Sequence, residues 1–251
     1  MSVPPRAIQL NEANAFLKKH PEVLYVDLLI ADMNGVVRGK RIERTALHKV
    51  YEKGINLPAS LFALDINGST VESTGLGLDI GDADRICYPI PGTLSVEPWQ
   101  KRPTAQLLMT MHEIEGQPFF ADPREVLRQV VSKFDEMGLT ICAAFELEFY
   151  LIDQDNVNGR PQSPRSPISG KRPHSTQVYL IDDLDEYVDC LQDILEGAKE
   201  QGIPADAIVK ESAPAQFEVN LHHVSDPIKA CDYAVLLLSL IHISEPTRLL
   251  S

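Results

Sequence analysis

Two short stretches constrain this chain most: Phe145-Glu146-Leu147-Glu148-Phe149-Tyr150 and Glu211-Ser-Ala-Pro-Ala-Gln216-Phe217-Glu218-Val219-Asn220. Both alternate apolar and polar residues, so as strands each puts its polar residues on one face. Glu146 and Glu148 then point the same way, as do Gln216, Glu218 and Asn220, with Glu211 just upstream. One such strand is what an antiparallel sheet with a wet face looks like. The second adds Gln, Glu and Asn, weak strand formers, on a single face. Converging carboxylates repel each other, and a bound divalent cation relieves that repulsion. Two readings therefore stand side by side: a solvated acidic face, or a carboxylate metal site. All-oxygen ligation of this kind suits Mg2+ or Mn2+ better than Zn2+.

A chain of 251 residues holds one large or two modest domains. Its 44% hydrophobic and 24% charged content is that of an ordinary globular protein. No apolar run reaches the length of a membrane span, and Met1-Ser-Val-Pro-Pro-Arg lacks a signal-peptide core, so a cytoplasmic protein with no membrane partner is expected. The net charge of −13 argues against a nucleic-acid partner and is compatible with attracting cations, metals and polyamines included. Cys87, Cys142, Cys190 and Cys231 have no paired spacing, which predicts reduced thiols rather than zinc ligands or disulfides.

Mixed hairpins and helices predict an α+β fold. Asn11–His20 reads as a short helix, and Val23–Ala31, the turn Asp32-Met-Asn-Gly35 and Val36–Ile42 read as a hairpin. Thr45–Gly54 follows as a helix, then a Gly-, Asp- and Pro-rich stretch from Ser60 to Thr93. Ala105–Met111 is a strand, and Asp122-Pro123-Arg124 opens a helix that runs to Gly138. Beyond it come a strand over Thr140–Asp153, an exposed loop over Asn156–Pro173, and an amphipathic helix over Leu184–Gln201. The domain boundary is placed within residues 112–122.

The order and spacing of Val26–Ile42 (VDLLIADMNGVVRGKRI), the Asp122-Pro-Arg helix start, Glu146-Leu-Glu148-Phe and Glu211…Gln216-Phe-Glu218 resemble the glutamine synthetase family. The resemblance covers about residues 15–237. Pro58–Gly77, Phe145–Asp153 and Ile203–Asn220 are most similar to its γ-glutamylpolyamine (γ-glutamylputrescine) synthetase branch. It implies an N-terminal β-grasp domain (15–115) and the first part of a catalytic domain (120–237). It also implies a homo-oligomer, a dodecamer of two stacked rings with active sites between neighbouring subunits. The implied reaction uses ATP to phosphorylate the γ-carboxylate of glutamate, after which an amine or ammonia displaces phosphate. Carried over residue by residue, Glu148, Glu211 and Glu218 match the first metal site, and Glu146 matches a ligand of the second. Asp65 matches an acidic residue that helps bind and deprotonate the incoming amine in the adjacent subunit; capping a turn is its bland alternative. Gln216 and Asn220 are expected to brace the carboxylates. Ala215 stands where many members have Gly.

Three other motifs carry less. His222-His223 is adjacent rather than spaced for one helix face, Gly75-Leu-Gly77 is too short to cradle phosphate, and Arg38-Gly-Lys40-Arg41 reads as a solvated or inter-subunit cluster. Ser225-Asp226-Pro227 starts a helix that Ile228–Leu237 continues. From Leu238 to Arg248 the chain reads LSLIHISEPTR, which resembles a translated transposase sequencing adapter. Residues 238–251 are therefore expected to be an artefactual tail, with Leu238–Ile243 an exposed apolar run and His242 of no functional weight. The family's remaining second-metal, glutamate-binding and flap residues are expected beyond residue 237, so the chain reads as an incomplete, inactive piece. The leading function is an ATP-dependent γ-glutamyl amide ligase acting on putrescine or a related polyamine. The alternatives are an ordinary glutamine synthetase using ammonia and a non-catalytic structural relative.

Overall fold

Asp32-Met-Asn-Gly35 does what an Asn-Gly turn between β-rich runs should do. The Asp32 carboxylate accepts hydrogen bonds from the amides of Asn34 (2.8 Å) and Val36 (3.0 Å), and Gly35 supplies the left-handed φ of 74°. The turn joins β1 (Tyr25–Ala31) to β2 (Val37–Glu43), whose register pairs Leu29 with Gly39. A Cβ at Gly39 would stand 1.7 Å from the Leu28 carbonyl oxygen, so only glycine fits there. The computed structural model describes residues 6–77, 79 and 81–244. It forms two units, divided between Leu139 and Thr140.

In the first unit a mixed sheet runs β2-β1-β6-β4-β3. Its other strands are β3 (Ile55–Pro58), β4 (Asp84–Pro89), β5 (Ser95–Val96) and β6 (Thr104–His112). β1 lies parallel to β6, while β5 and then β4 pair antiparallel along the other edge of β6. That central position explains why β6 is buried at nearly every residue, whereas β1 alternates and sends Val26, Leu28 and Ile30 inward. These residues meet Leu107, Met109 and Met111 of β6, Leu47, Val50 and Tyr51 of α2 (Leu47–Lys53), and Ala13 of α1 (Arg6–Lys19). The basic cluster is spent within this unit. Arg38 pairs with Asp32 (2.7 Å), Lys40 donates to the Asn56 carbonyl (2.7 Å), and Arg41 makes a two-pronged bond to Asp27 (2.6 and 2.7 Å).

Glu97, just after β5, is only 7% exposed. Burial, and behind it the nearby Asp27 carboxylate, pushes its pKa from the ordinary 4.5 up to about 7. Below the unfolded value the group is protonated in both states. Between about pH 4.5 and 7 the unfolded chain ionises while the fold resists, so up to about 3 kcal/mol of stability is lost as pH rises through that window. Glu97→Gln should therefore raise the melting temperature at about pH 8 and change it little at about pH 5. A gap independent of pH would show that Glu97 is not held neutral.

Helix α3 (Pro123–Glu136) opens on Asp122, whose carboxylate accepts from the Arg124 amide at 2.9 Å as an N-cap with Pro at the first turn. By its contacts this helix groups with the first unit, whose last residue is Leu139.

The second unit is a three-stranded antiparallel sheet, β7-β9-β8, formed by β7 (Glu146–Tyr150), β8 (Ala205–Lys210) and β9 (Gln216–Leu221). Only the middle of the expected Thr140–Asp153 strand finds a partner; upstream of it, Ala143 makes a single bridge to Val224. The expected helix over Leu184–Gln201 is two helices, α4 (Ile181–Asp185) and α5 (Val188–Glu200). The break is at Tyr187, where φ is −130°. Its ring packs on Phe217 and its hydroxyl donates to the Pro164 carbonyl (2.8 Å), a tertiary anchor that overrides helix continuity.

Asp226 caps α6 (Pro227–Ser244), accepting from the amides of Ile228 and Lys229 (both 3.1 Å). The helix does not stop at Leu237. Leu240 and Ile241 are each 1% exposed, against an expected exposed run over Leu238–Ile243. The cause is a close approach between helices: a Cβ at Gly197 of α5 would meet Leu240 Cδ1 at 3.0 Å. The rest of the expected tail, 245–251, lies outside the described residues. Among the described residues no disulfide joins the four cysteines, and no helix is long and apolar enough to cross a membrane.

Candidate functional site

Alternation on β7 and β9 sends Phe149, Phe217 and Val219 behind the sheet. Phe149 and Phe217 meet Leu191 of α5, Tyr187 and Ile208 there. The opposite face receives the carboxylates. Glu148 lies directly across from Glu218, Glu146 from Asn220, and Tyr150 from Gln216. On the other side of β9, the Glu211 amide donates to the Gln216 carbonyl (2.9 Å), continuing the β8–β9 ladder by one rung and placing Glu211 at the register of that face. Glu146, Glu148, Glu211 and Glu218 thus come from three neighbouring chain segments to one side of one sheet.

The two amides expected to brace them do so. Gln216 Nε2 donates to Glu148 Oε2 at 2.6 Å, and Asn220 Nδ2 donates to Glu218 Oε1 at 2.7 Å. Gln216 also accepts from the Ala213 amide through Oε1 (3.0 Å), which fixes its amide orientation and aims its donor at Glu148. Two carboxylates directly opposite on a sheet cost stability, since the cross-strand Cβ atoms are only about 5 Å apart.

As ligands for a hard divalent cation the donors are right in kind and in register: carboxylate oxygens on one face, two of them, Glu148 and Glu218, with a side-chain amide at the back. Among the described residues no three His, Cys, Asp or Glu side chains are gathered round a point that would hold a metal ion.

The 211–215 loop has two features the sequence did not announce. Ala215 adopts a left-handed φ of 55°, which a glycine takes without strain, so alanine there has a backbone cost. Lys210, just before Glu211, is buried, and its ammonium donates to the carbonyls of Glu211 and Ala213. A lysine closing the apolar run Ala207-Ile-Val209 was the signal available. The Asn156–Pro173 loop is tied down at several points. Arg172 donates to Asp153 (2.6 Å) and to the Ser163 carbonyl, and Ser163 donates to the Pro214 carbonyl (3.3 Å). The Asp155 amide and then the Arg172 guanidinium hold the Asp153 carboxyl below the usual range.

Asp65, in the first unit, caps a turn. Its Oδ1 accepts from the amides of Asn67 (2.9 Å) and Ser69 (2.8 Å), and Oδ2 takes no part in that turn. His222 pairs with Asp206 (2.6 Å) at the surface. At Gly77 a Cβ would run into the Glu72 carboxylate, 2.2 Å away, so Gly77 is fitted to a side chain of its own loop.

Residues 120–243 match the family described as glutamine synthetase, catalytic domain. The chain is 42% identical over 233 residues to the γ-glutamylputrescine synthetase PuuA of Escherichia coli (strain K12), covering 92% of this chain and 49% of that protein. It is 28% identical over 233 residues to the glutamate–isopropylamine ligase of a Pseudomonas species, covering 91% of this chain and 49% of that protein. The chain spans about half the length of the curated relatives it matches. In fold it is similar to a crystal structure of a glutamine synthase homologue (TM-score 0.72, 20% identity, 87% of this chain and 48% of that one). It is similar too to GmaS in complex with ADP (TM-score 0.74, 21% identity, 93% of this chain and 49% of that one). Residues 120–243 carry the family's catalytic-domain match, and a relative 42% identical covers 92% of the chain, so the chain belongs to the glutamine synthetase family.

Proposed function

We propose that this chain belongs to an ATP-dependent γ-glutamyl amide ligase that joins glutamate to putrescine or a related polyamine. The observation that carries the reading is the register of β7 against β9. It sets Glu148 opposite Glu218 with Glu146 and Glu211 on the same face, in a chain 42% identical to a γ-glutamylputrescine synthetase. On this reading Glu148, Glu211 and Glu218 hold one Mg2+ or Mn2+ and Glu146 contributes to a second. When bound, the cations neutralise charge on the phosphoryl group passing from ATP to the glutamate γ-carboxylate. Gln216 and Asn220 keep the ligand carboxylates oriented through the hydrogen bonds they already make.

The first unit is the β-grasp domain on this reading, its mixed sheet having the parallel β1–β6 pair at the centre. Asp65 Oδ2 is the oxygen left to receive the amine's proton in a neighbouring subunit's site, within a ring-forming homo-oligomer of dodecamer type. A cytoplasmic location fits an ATP-consuming enzyme with unpaired cysteine spacing.

The test is product formation by the protein expressed from its whole gene, given ATP, glutamate and Mg2+ with either putrescine or ammonia. γ-Glutamylputrescine with stoichiometric phosphate release is the expected result. Glutamine alone would make it an ordinary glutamine synthetase, and no product from either amine would leave a non-catalytic relative. Asp65→Asn should lower turnover more than it weakens ATP binding, because its task is on the amine. Normal turnover in that variant would reduce Asp65 to the turn cap it visibly is.

A further inference from the structure

The geometry points to Lys210 as the residue that positions Glu211 and Gln216 on the carboxylate face, a role that rests on that face being the metal site proposed above. Lys210 pairs with Phe217 in the β8–β9 register, so its side chain leaves the sheet on the apolar side, away from the carboxylates. It is 1% exposed. A buried ammonium is costly unless each of its three N–H groups finds an acceptor. Two go to the carbonyl oxygens of Glu211 and Ala213 (the latter at 2.8 Å), and Asp183 Oδ2, from α4, lies 3.9 Å away. A methionine or leucine would fill the same space without that cost, so filling the core is not what the charge is for.

What the charge does is turn one loop. With the Glu211 and Ala213 carbonyls drawn inward to the ammonium, the 211–215 backbone is fixed in orientation. From Ala213 the constraint passes outward. Its carbonyl also accepts from the Gln216 amide (3.1 Å), its amide donates to Gln216 Oε1 (3.0 Å), and Gln216 Nε2 reaches Glu148 Oε2 (2.6 Å). A continuous hydrogen-bonded path therefore links Lys210 behind the sheet to Glu148 in front of it, and one peptide bond links Lys210 to Glu211. Ser163 steadies the same loop at Pro214 (3.3 Å) but touches neither end of this path.

Mn2+ alone is the probe, titrated into the 251-residue chain by electron paramagnetic resonance, well below the melting temperature. Lys210→Met is the first variant. Lys210→Met with Asp183→Asn is the second, since it removes the carboxylate that the single change leaves buried and unpaired. Both should bind Mn2+ about tenfold more weakly, the effect of losing a group that orients a ligand. Water relaxivity of bound Mn2+ should rise as a loosened Glu211 cedes its place to water. A purely structural lysine would lower the melting temperature and leave both Mn2+ readouts unmoved. Native affinity and relaxivity in the folded double variant would overturn the positioning role while leaving the metal site standing. A native chain that binds no Mn2+ would instead remove the metal-site reading, and this role with it.

Discussion

Glu218→Gln should cost the chain about a hundredfold in Mn2+ affinity, more than the roughly tenfold loss expected when an outer-shell partner is removed. The same change should leave stability unchanged or raise it by up to about 1 kcal/mol, because Glu218 sits directly across from Glu148 and like charges so paired repel. Glutamine keeps an oxygen to accept from Asn220, so the fold around β9 has nothing to rearrange. Opposite signs for stability and binding separate the two readings of this face. A merely solvated acidic surface would also gain stability on losing a charge, but would have no Mn2+ affinity to lose. Glu211→Gln should follow Glu218→Gln in binding with a smaller gain in stability, since its cross-strand neighbour is Gln216 rather than a carboxylate. Unchanged Mn2+ affinity in both variants would end the ligand assignment.

The sequence told which residues share a face far better than it told who stands opposite whom. Glu146 and Glu148 had to point the same way once β7 was a strand, because the side-chain period is two. That Glu148 meets Glu218, and that β8 lies on the far side of β9, depends on register and strand order, which alternation cannot encode. Local chemistry was legible where it is self-contained: the Asp32–Gly35 turn, the Asp122 and Asp226 caps, and the left-handed glycines at Gly138 and Gly202 that end helices. It failed where a distant partner decides. Tyr187 interrupts a periodic helix because its hydroxyl is held by Pro164 and its ring by Phe217. Lys210 follows an apolar run where a lysine is ordinarily solvated, and it is instead among the most buried of the described side chains. Leu240 and Ile241 looked like foreign sequence, yet both are buried, Leu240 against Gly197 of α5, and the family match runs through them to residue 243. Apolar residues at helical spacing are buried wherever a neighbour leaves room, whatever their origin.

Asp122→Ala should lower the stability of the first unit by about 3 kcal/mol, the sum of roughly 1 for a lost N-cap and a further 1–3 for stranded buried donors. The carboxylate is 2% exposed and serves three groups at once. Oδ1 accepts from the Arg124 amide (2.9 Å), starting α3, while Oδ2 accepts from the Met111 amide (2.8 Å) and the Thr110 hydroxyl (3.0 Å) on the central strand. One side chain thus ties the first turn of a helix to β6, and alanine leaves the Met111 N–H buried with no acceptor. Asp122→Asn separates hydrogen bonding from charge. Burial outweighs the three hydrogen bonds and pushes the Asp122 carboxyl above its usual range, so removal of the charge by itself favours folding. Asparagine nevertheless has one oxygen where two are used, and its NH2 would face a donor whichever way it turns. It should therefore destabilise by less than alanine, yet still measurably. Urea melts of the native chain and both variants, followed by a probe in the first unit, give the order native, Asn, Ala. Asparagine as stable as the native residue would mean that the cap alone matters and that the link from α3 to β6 contributes nothing.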